Sequence, residues 1–180
     1  KNNLFSKFNI SLEDKKKHKQ YKIRSSFLKD LDYSKNKMNH LKSIKLNPKK
    51  ILIDNSNLAR AEQLTLKTNQ FNLTTKRYSK SEISLLSKDI NFNIFLVHLN
   101  DIYGDHGIVA MVVLKKVNSE IVFIDSFLMS CRVLGRHLEY WIMHEIYKIA
   151  KKRKFVYIIG NYIETKKNIL TKDFYRKFNF

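Results

Sequence analysis

The feature that most constrains this chain is a change of hydrophobic period near Phe92. From there, Phe92–Leu99, Ile108–Leu114 and Ile121–Leu128 are rich in β-branched and aromatic residues, the composition of strands packed on at least one face. Tyr103-Gly-Asp-His-Gly107 and Asn118-Ser-Glu120 supply turn residues between them, so the three runs predict an antiparallel meander. After the third strand the period lengthens again. An amphipathic helix is predicted over about 135–152, then a strand over Phe155–Gly160, a loop, and a helix over about 171–178.

Upstream of the meander the pattern is helical. Ser11-Leu-Glu-Asp14 has the form of a capping box, in which a hydroxyl and a carboxylate three residues on satisfy free amides at a helix start. A helix over Leu12–Leu31 follows, then a short one over Lys35–Ile44. Pro48 should end that pattern because it lacks an amide hydrogen, and Ile51–Ile53 reads as a short strand or extended link. Leu58–Lys67 is a further helix. Thr68–Tyr78, rich in Asn and Thr, reads as a loop, and Ser79-Lys-Ser-Glu82 is a clearer capping box for a helix to Lys88.

Composition narrows the function classes. The chain has 180 residues, 43% of them hydrophobic, enough for one well-buried core. No apolar run is long enough to span a bilayer and the N-terminus lacks the plan of a signal peptide, so a cytoplasmic protein without membrane attachment is expected. The start without Met and the stop at Phe180 read as cuts through a longer protein. A single cysteine, Cys131, excludes an intrachain disulfide, and the six scattered histidines have no zinc-site spacing, so no metal is expected. The formal charge of +19 suits an acidic partner. Only seven of the 35 basic residues are arginine, however, so the charge is mostly compositional lysine. Nucleic-acid binding rests on charge alone and on no recognised motif.

Several residues carry potential chemistry. Arg132-Val133-Leu134-Gly135-Arg136-His137 falls where the third strand hands over to the long helix. A turn there aims backbone amides and the positive end of the helix dipole at a pyrophosphate. Glycine permits close approach, and Arg136 would add a mobile charge. The alternative is a structural turn. Cys131, just before a helix N-terminus, would serve as an acyl-carrying nucleophile or as a small buried hydrophobe. In Asp173-Phe-Tyr-Arg-Lys-Phe-Asn-Phe180, Tyr175 is a candidate acid for a leaving thiolate, or a packing residue beside Phe174 and Phe178. Asn168 precedes that segment, and Asn179 suits a left-handed helix exit. A general base would come from His98, Asp101, Asp105, His106 or Glu164, none of which is singled out.

The element order, the Arg132–His137 turn and the Tyr175 segment resemble the GNAT N-acetyltransferase fold. The fold class is therefore α/β (α+β), with a mixed, mostly antiparallel sheet flanked by helices. In that family the turn reads R/Q-x-x-G-x-G/A, and His137 departs from its last position. Lys67-Thr-Asn-Gln-Phe-Asn-Leu-Thr-Thr-Lys-Arg-Tyr78 and Ser130-Cys-Arg-Val-Leu-Gly-Arg136, with Tyr103-Gly-Asp105 and Thr165-Lys-Lys-Asn168, resemble the C-terminal region of FkbH-like proteins, HAD subfamily IIIC. The resemblance implies that 58–180 is a GNAT-like acyltransferase domain, cut at its C-terminus. It makes 1–57 the tail of a preceding HAD domain with its linker.

It further implies a glyceryl or other acyl thioester on an acyl carrier protein or coenzyme A. Its phosphate chemistry needs a D-x-D-x-T strand end, which this chain lacks, so the HAD part would be a missing N-terminal partner. Two roles follow. One is acyl transfer, with 132–137 and Asn168 around coenzyme A or phosphopantetheine and Tyr175 as acid. The other is a non-catalytic module that docks an acyl carrier protein.

Overall fold

The computed structural model describes residues 12–180, with side chains from Gln20 onward; Ser11 of the first capping box lies outside them. Two helices, α1 (Leu12–Tyr33) and α2 (Lys37–Ser43), lead into strand β1 (Asn47–Leu52). Helices α3 (Leu58–Lys67) and α4 (Lys80–Lys88) follow. The meander is β2 (Phe92–Asp101), β3 (Gly104–Lys116) and β4 (Ile121–Met129), and after it come α5 (Leu138–Lys152) and β5 (Tyr157–Gly160). One sheet runs in the order β1-β2-β3-β4-β5, antiparallel except for the parallel pair β4–β5.

The helical pattern has ended by Ser43, upstream of Pro48, and Pro48 does not interrupt the strand that follows. It sits inside β1 opposite Leu99, and β1 is an edge strand, where a missing amide hydrogen leaves no interior ladder bond unmade. The sheet therefore begins at Asn47, upstream of the boundary expected at 57/58. Lys50 of β1 also reaches Glu145 of α5 at 2.9 Å. The terminal segment departs from expectation too, forming 3₁₀ turns at Ile169–Thr171 and Tyr175–Phe178 instead of one α-helix. Asn179 does take the left-handed exit, with φ +61°. The second capping box forms as read, with the Glu82 amide donating to Ser79 Oγ and the Ser79 amide to Glu82 Oε2.

Alternation along the strands sorts the core onto two faces. Phe95, Val97 and Leu99 of β2 join Leu138, Ile142 and Ile146 of α5 on one side. Ile94 and Leu96 join Ala61 and Leu64 of α3 and Ile83 of α4 on the other. Bulges break the alternation where the site will lie. In β3, His106 and Val109 have no partner in β2; in β4, Asp125 has none in β3. Each bulge bends its strand and re-aims a residue. The Asp125 bulge sits where the β4–β5 pairing stops, at Ile124 opposite Gly160.

One buried ion pair ties this end of the sheet to the lead-in helices. Arg136 is 1% exposed, and its Nε donates to Asp101 Oδ2 at 2.7 Å. Its guanidinium lies 4.0 Å from the Phe27 ring centroid. His106 Nε2 approaches the other oxygen of Asp101 at 2.8 Å. Arg136 is thus not the mobile phosphate ligand that its place in the turn led us to expect; its charge is consumed within the fold.

Burial alone would raise the Asp101 carboxyl, but the close approach of His106 and the hydrogen bond from Arg136 outweigh it and hold the pKa below the usual range. With its folded pKa depressed, Asp101 contributes stability in full above the unfolded carboxylate pKa of about 3.9, and that contribution is lost as pH falls through the folded value. Arg136→Met, which strands the carboxylate, should cost about 3–5 kcal/mol in urea denaturation at neutral pH. Asp101→Asn should flatten the loss of stability seen in wild type as pH is lowered below about 4.

Candidate functional site

After β4 the chain turns sharply. The Ser130 amide bonds to Val109 O at 2.7 Å, and Ser130 Oγ accepts Arg132 Nε at 3.1 Å. This closes a 3₁₀ turn at Cys131–Val133. Val133 points into the core while Cys131 stays exposed, so Cys131 is not the buried small hydrophobe that was one of its two readings. Leu134 is partly buried and bonds back to Cys131 O. Gly135 and His137 follow, both exposed and both at positive φ. The long helix therefore starts at Leu138, later than expected, with no side-chain cap from His137.

Beside this turn opens a pocket of about 820 Å³ between α1, α3 and the bulged part of β3. Cys131 and Arg132 line it from the turn, Arg60 and Gln63 from α3, Arg24 from α1 and His98 from β2. The bulges explain why two arginines converge here. Arg60 donates Nε and Nη2 to Ile108 O at 3.1 and 2.8 Å, and Arg132 donates Nη2 to His106 O at 3.4 Å. Arg60 Nη1 is held by the Gln63 side chain. No carboxylate lines the pocket, and among the described residues none pairs with Arg24, Arg60 or Arg132. Burial and the nearby Arg132 charge lower the Arg60 pKa to about 10; burial lowers that of Arg132 as well. His98 Nε2 lies 3.0 Å from Asp105 Oδ1.

The expected second half of the site lies elsewhere and is built for a different purpose. Where β4 and β5 part, β4 turns an unpaired edge outward, and a pantetheine chain with its two amides is the kind of ligand that could pair there. That edge is already taken by Phe71–Leu73. The Leu73 amide donates to Phe127 O at 3.1 Å and the Met129 amide to Phe71 O at 2.9 Å, while on the far side the Ile163 amide donates to Leu73 O at 2.8 Å. Thr74 Oγ1 donates to Asp125 O at 3.0 Å. The expected loop 68–78 is thus an extended insert between β4 and the segment after β5. Asp125, turned out by its bulge, accepts Lys76 Nζ and the Tyr78 hydroxyl, and burial together with Asp125 pushes the Tyr78 phenol far above its usual range.

Asn168 belongs to this closure. It is fully buried, donates Nδ2 to Asn72 O and Ile163 O at 2.9 Å each, and accepts the Thr165 amide at 2.8 Å. It clamps the insert, and it faces the chain's own backbone where a cofactor contact was expected. Tyr175 packs its ring on Gly160, where an added Cβ would fall 2.3 Å from the ring. Its hydroxyl is buried near the Asn161 backbone without a well-formed hydrogen bond. Burial raises the phenol well above its ordinary value, and Tyr175 does not line the pocket that holds Cys131. Gly135 and His137 are open to solvent, whereas the β4 edge beyond Ile124 is paired with residues 71–73 of the chain itself.

Among the described residues no cluster of three or more His, Cys, Asp or Glu could hold a metal, and no helix is long and apolar enough to cross a membrane. Asp30-Leu31-Asp32, the chain's D-x-D string, lies within α1 and not at a strand end. Arg24, Arg60, Gln63 and the Lys76–Asp125–Tyr78 cluster were not anticipated from the sequence. The available signal was the scarcity of arginine: three of the seven in this lysine-rich chain line one pocket.

No protein-family model matches the sequence, and no curated protein matches it. Solved structures do resemble it in fold. A domain from Methanocaldococcus jannaschii superposes with TM-score 0.58 at 13% identity, over 76% of this chain and 89% of that one. A ribosomal-protein alanine N-acetyltransferase from Escherichia coli gives 0.56 at 10%, over 73% and 76%. An aminoglycoside 6'-N-acetyltransferase from Acinetobacter baumannii gives 0.54 at 11%, over 74% and 90%. The fold is that of the GNAT acetyltransferases, as the element order predicted.

If Asn168 is the clamp described, Asn168→Ala leaves two buried carbonyls and one amide unpaired. The expected cost is roughly 2–4 kcal/mol. In hydrogen exchange, the amides of Leu73, Met129 and Ile163 should lose protection ahead of the strand β2 core.

Proposed function

We propose that this chain is an acyltransferase domain that receives an acyl thioester in the arginine-lined pocket, with Cys131 as the acyl-accepting thiol. The observation that carries the reading is the placement of an exposed thiol in a large pocket beside uncompensated guanidinium groups. Positive charge stabilises a thiolate over a thiol, and the thiolate is the nucleophile. His98, which lines the same pocket and contacts Asp105, is the proton acceptor in this reading.

The step balances without a metal or redox partner. Cys131 passes its proton to His98, and its sulfur bonds to the thioester carbonyl carbon. The carbon–sulfur bond to the donor then breaks, and the leaving thiolate takes the proton from His98. A second acceptor reverses the sequence. Arg60 and Arg132 are the nearest charges able to steady the oxyanion that forms in between. This reading places the chemistry on Cys131, because Tyr175 lies outside the pocket and the β4–β5 opening is occupied.

The donor we favour is an acyl group on the arm of an acyl carrier protein. Support comes from the strings at 67–78 and 130–136, which resemble FkbH-like proteins, and from a charge of +19, which suits an acidic carrier. In the alternative of a pure docking module, the carrier would bind without acylating the protein. Intact-mass measurement after incubation with acyl carrier protein charged with a short acyl group separates the two. The expected result is a hydroxylamine-labile adduct of the acyl mass on wild type, absent from Cys131→Ala and slowed at least about tenfold in His98→Gln. Carrier binding without any adduct on wild type would remove the transferase reading.

A further inference from the structure

We infer that Arg60 and Arg132, with Arg24 at the rim, form a receptor for a phosphate or carboxylate group carried by the ligand of the Cys131 pocket. The inference rests on the acyl-transfer reading for the identity of that ligand, but its own grounds are independent of any thiol chemistry.

The two inner guanidiniums are fixed on backbone carbonyls two residues apart in β3, Ile108 O and His106 O. Carbonyls orient them without cancelling their charge. Two like charges held close together and half-buried repel one another, and each carries a desolvation cost that a carboxylate neighbour would normally offset. Here no such neighbour lines the pocket. The charges that face it from the surrounding elements are Arg24 from α1, Arg60 and Lys67 from α3, and Arg132 from the turn, with His98 and His106 from the sheet. Asp101 is committed to Arg136 and His106, and Asp105 lies against His98. Arg24 adds a buried Nε with no partner. An anion bridging Arg60 and Arg132 satisfies what the fold leaves open.

The residue type points the same way. In this chain lysine is four times as common as arginine, yet the cations converging on the pocket are mostly arginine. A planar fork anchored on a carbonyl by one edge still has N–H groups to offer an anion, Nη1 in the case of Arg132, which an anchored ammonium does less well. The adjacent thiol sets the geometry of the ligand: a group reactive toward sulfur at one end and an anion at the other. Two sources carry that chemistry, an acyl group bearing its own phosphate or carboxylate and the phosphate of a pantetheine arm.

Because Cys131 is the one cysteine in the chain, alkylation reads this pocket alone. Rates of reaction with anionic iodoacetate and neutral iodoacetamide would be measured at about 0.15 M salt, where distant surface charge is largely screened. The expected iodoacetate-to-iodoacetamide ratio is at least about tenfold above that of N-acetylcysteine, and inorganic phosphate should slow the iodoacetate reaction selectively. Arg60→Gln and Arg132→Gln should bring the ratio to the free-thiol value, while Lys88→Gln, remote from the pocket, leaves it unchanged. If the arginine variants do not fold, phosphate protection of wild type decides.

Protection by methyl phosphate but not by S-methyl-4'-phosphopantetheine, whose blocked thiol cannot consume the reagent, assigns the anion to the acyl group, and the reverse assigns it to the arm. Protection by neither, with a wild-type ratio equal to that of free thiol, overturns the receptor. A raised ratio in a protein that never becomes acylated would keep the receptor and discard the thiol chemistry, whereas acylation with a free-thiol ratio would do the opposite.

Discussion

The buried contact between Arg136 and Asp101 joins three pieces that are remote in sequence: the end of strand β2, the turn after β4 and the lead-in helix α1 through Phe27. A guanidinium with almost no solvent exposure is tolerated only where a carboxylate, a carbonyl and an aromatic face share its charge, and all three are present. Once Arg136 is fixed, Gly135 must take its left-handed turn against the Phe27 ring. Arg132, four residues back, then has only the pocket side to face. The placement of the thiol follows from the same constraint, since Cys131 precedes Arg132 on a one-turn 3₁₀ segment whose other apolar residue, Val133, is drawn into the core.

The bulges do the remaining positioning. A regular β3 would spend its carbonyls on its neighbours; the irregular stretch around His106 and Val109 leaves carbonyls for Arg60 and Arg132 and turns His106 toward Asp101. The Asp125 bulge in β4 has a parallel effect on the other side of the sheet, aiming a carboxylate at Lys76 and Tyr78 and anchoring the inserted loop. The same device, unpaired residues in a long strand, two in β3 and one in β4, thus builds a cationic wall at one place and a closed seam at another.

Much of the architecture was legible in the residues. The three strands, α3 and the Ser79–Glu82 cap fall where composition and period placed them, because each depends on local chemistry. What misled was local evidence whose outcome depends on distant partners. Pro48 rules out a continuing helix, as read, but it also argues against a strand until that strand is known to be an edge. Arg136 and Asn168 read as ligand contacts because their types and positions suit that role, and only the fold reveals that Asp101 and the backbone of Asn72 have already claimed them. The 3₁₀ turns at the end carry apolar spacing close to that of a helix; the aromatic packing of Phe174 against Phe71 and Phe127 decides their shape. The pocket was invisible because its walls come from α1, α3, two strands and the turn after β4.

The insert at Phe71–Leu73 also bears on how the chain acquires its structure. Its partners lie on β4 and beyond β5, both far along the sequence, so it cannot be set in place until the sheet and the segment after Gly160 exist. Contacts that close long loops carry their entropy cost before their reward. Loop-closure entropy therefore predicts that the seam forms after the sheet. Until it forms, the outer edge of β4 stands open beside the Phe127 side chain, a template to which another extended chain can add. The residues that seal the mature sheet are in that sense its guard against pairing with a neighbour during assembly.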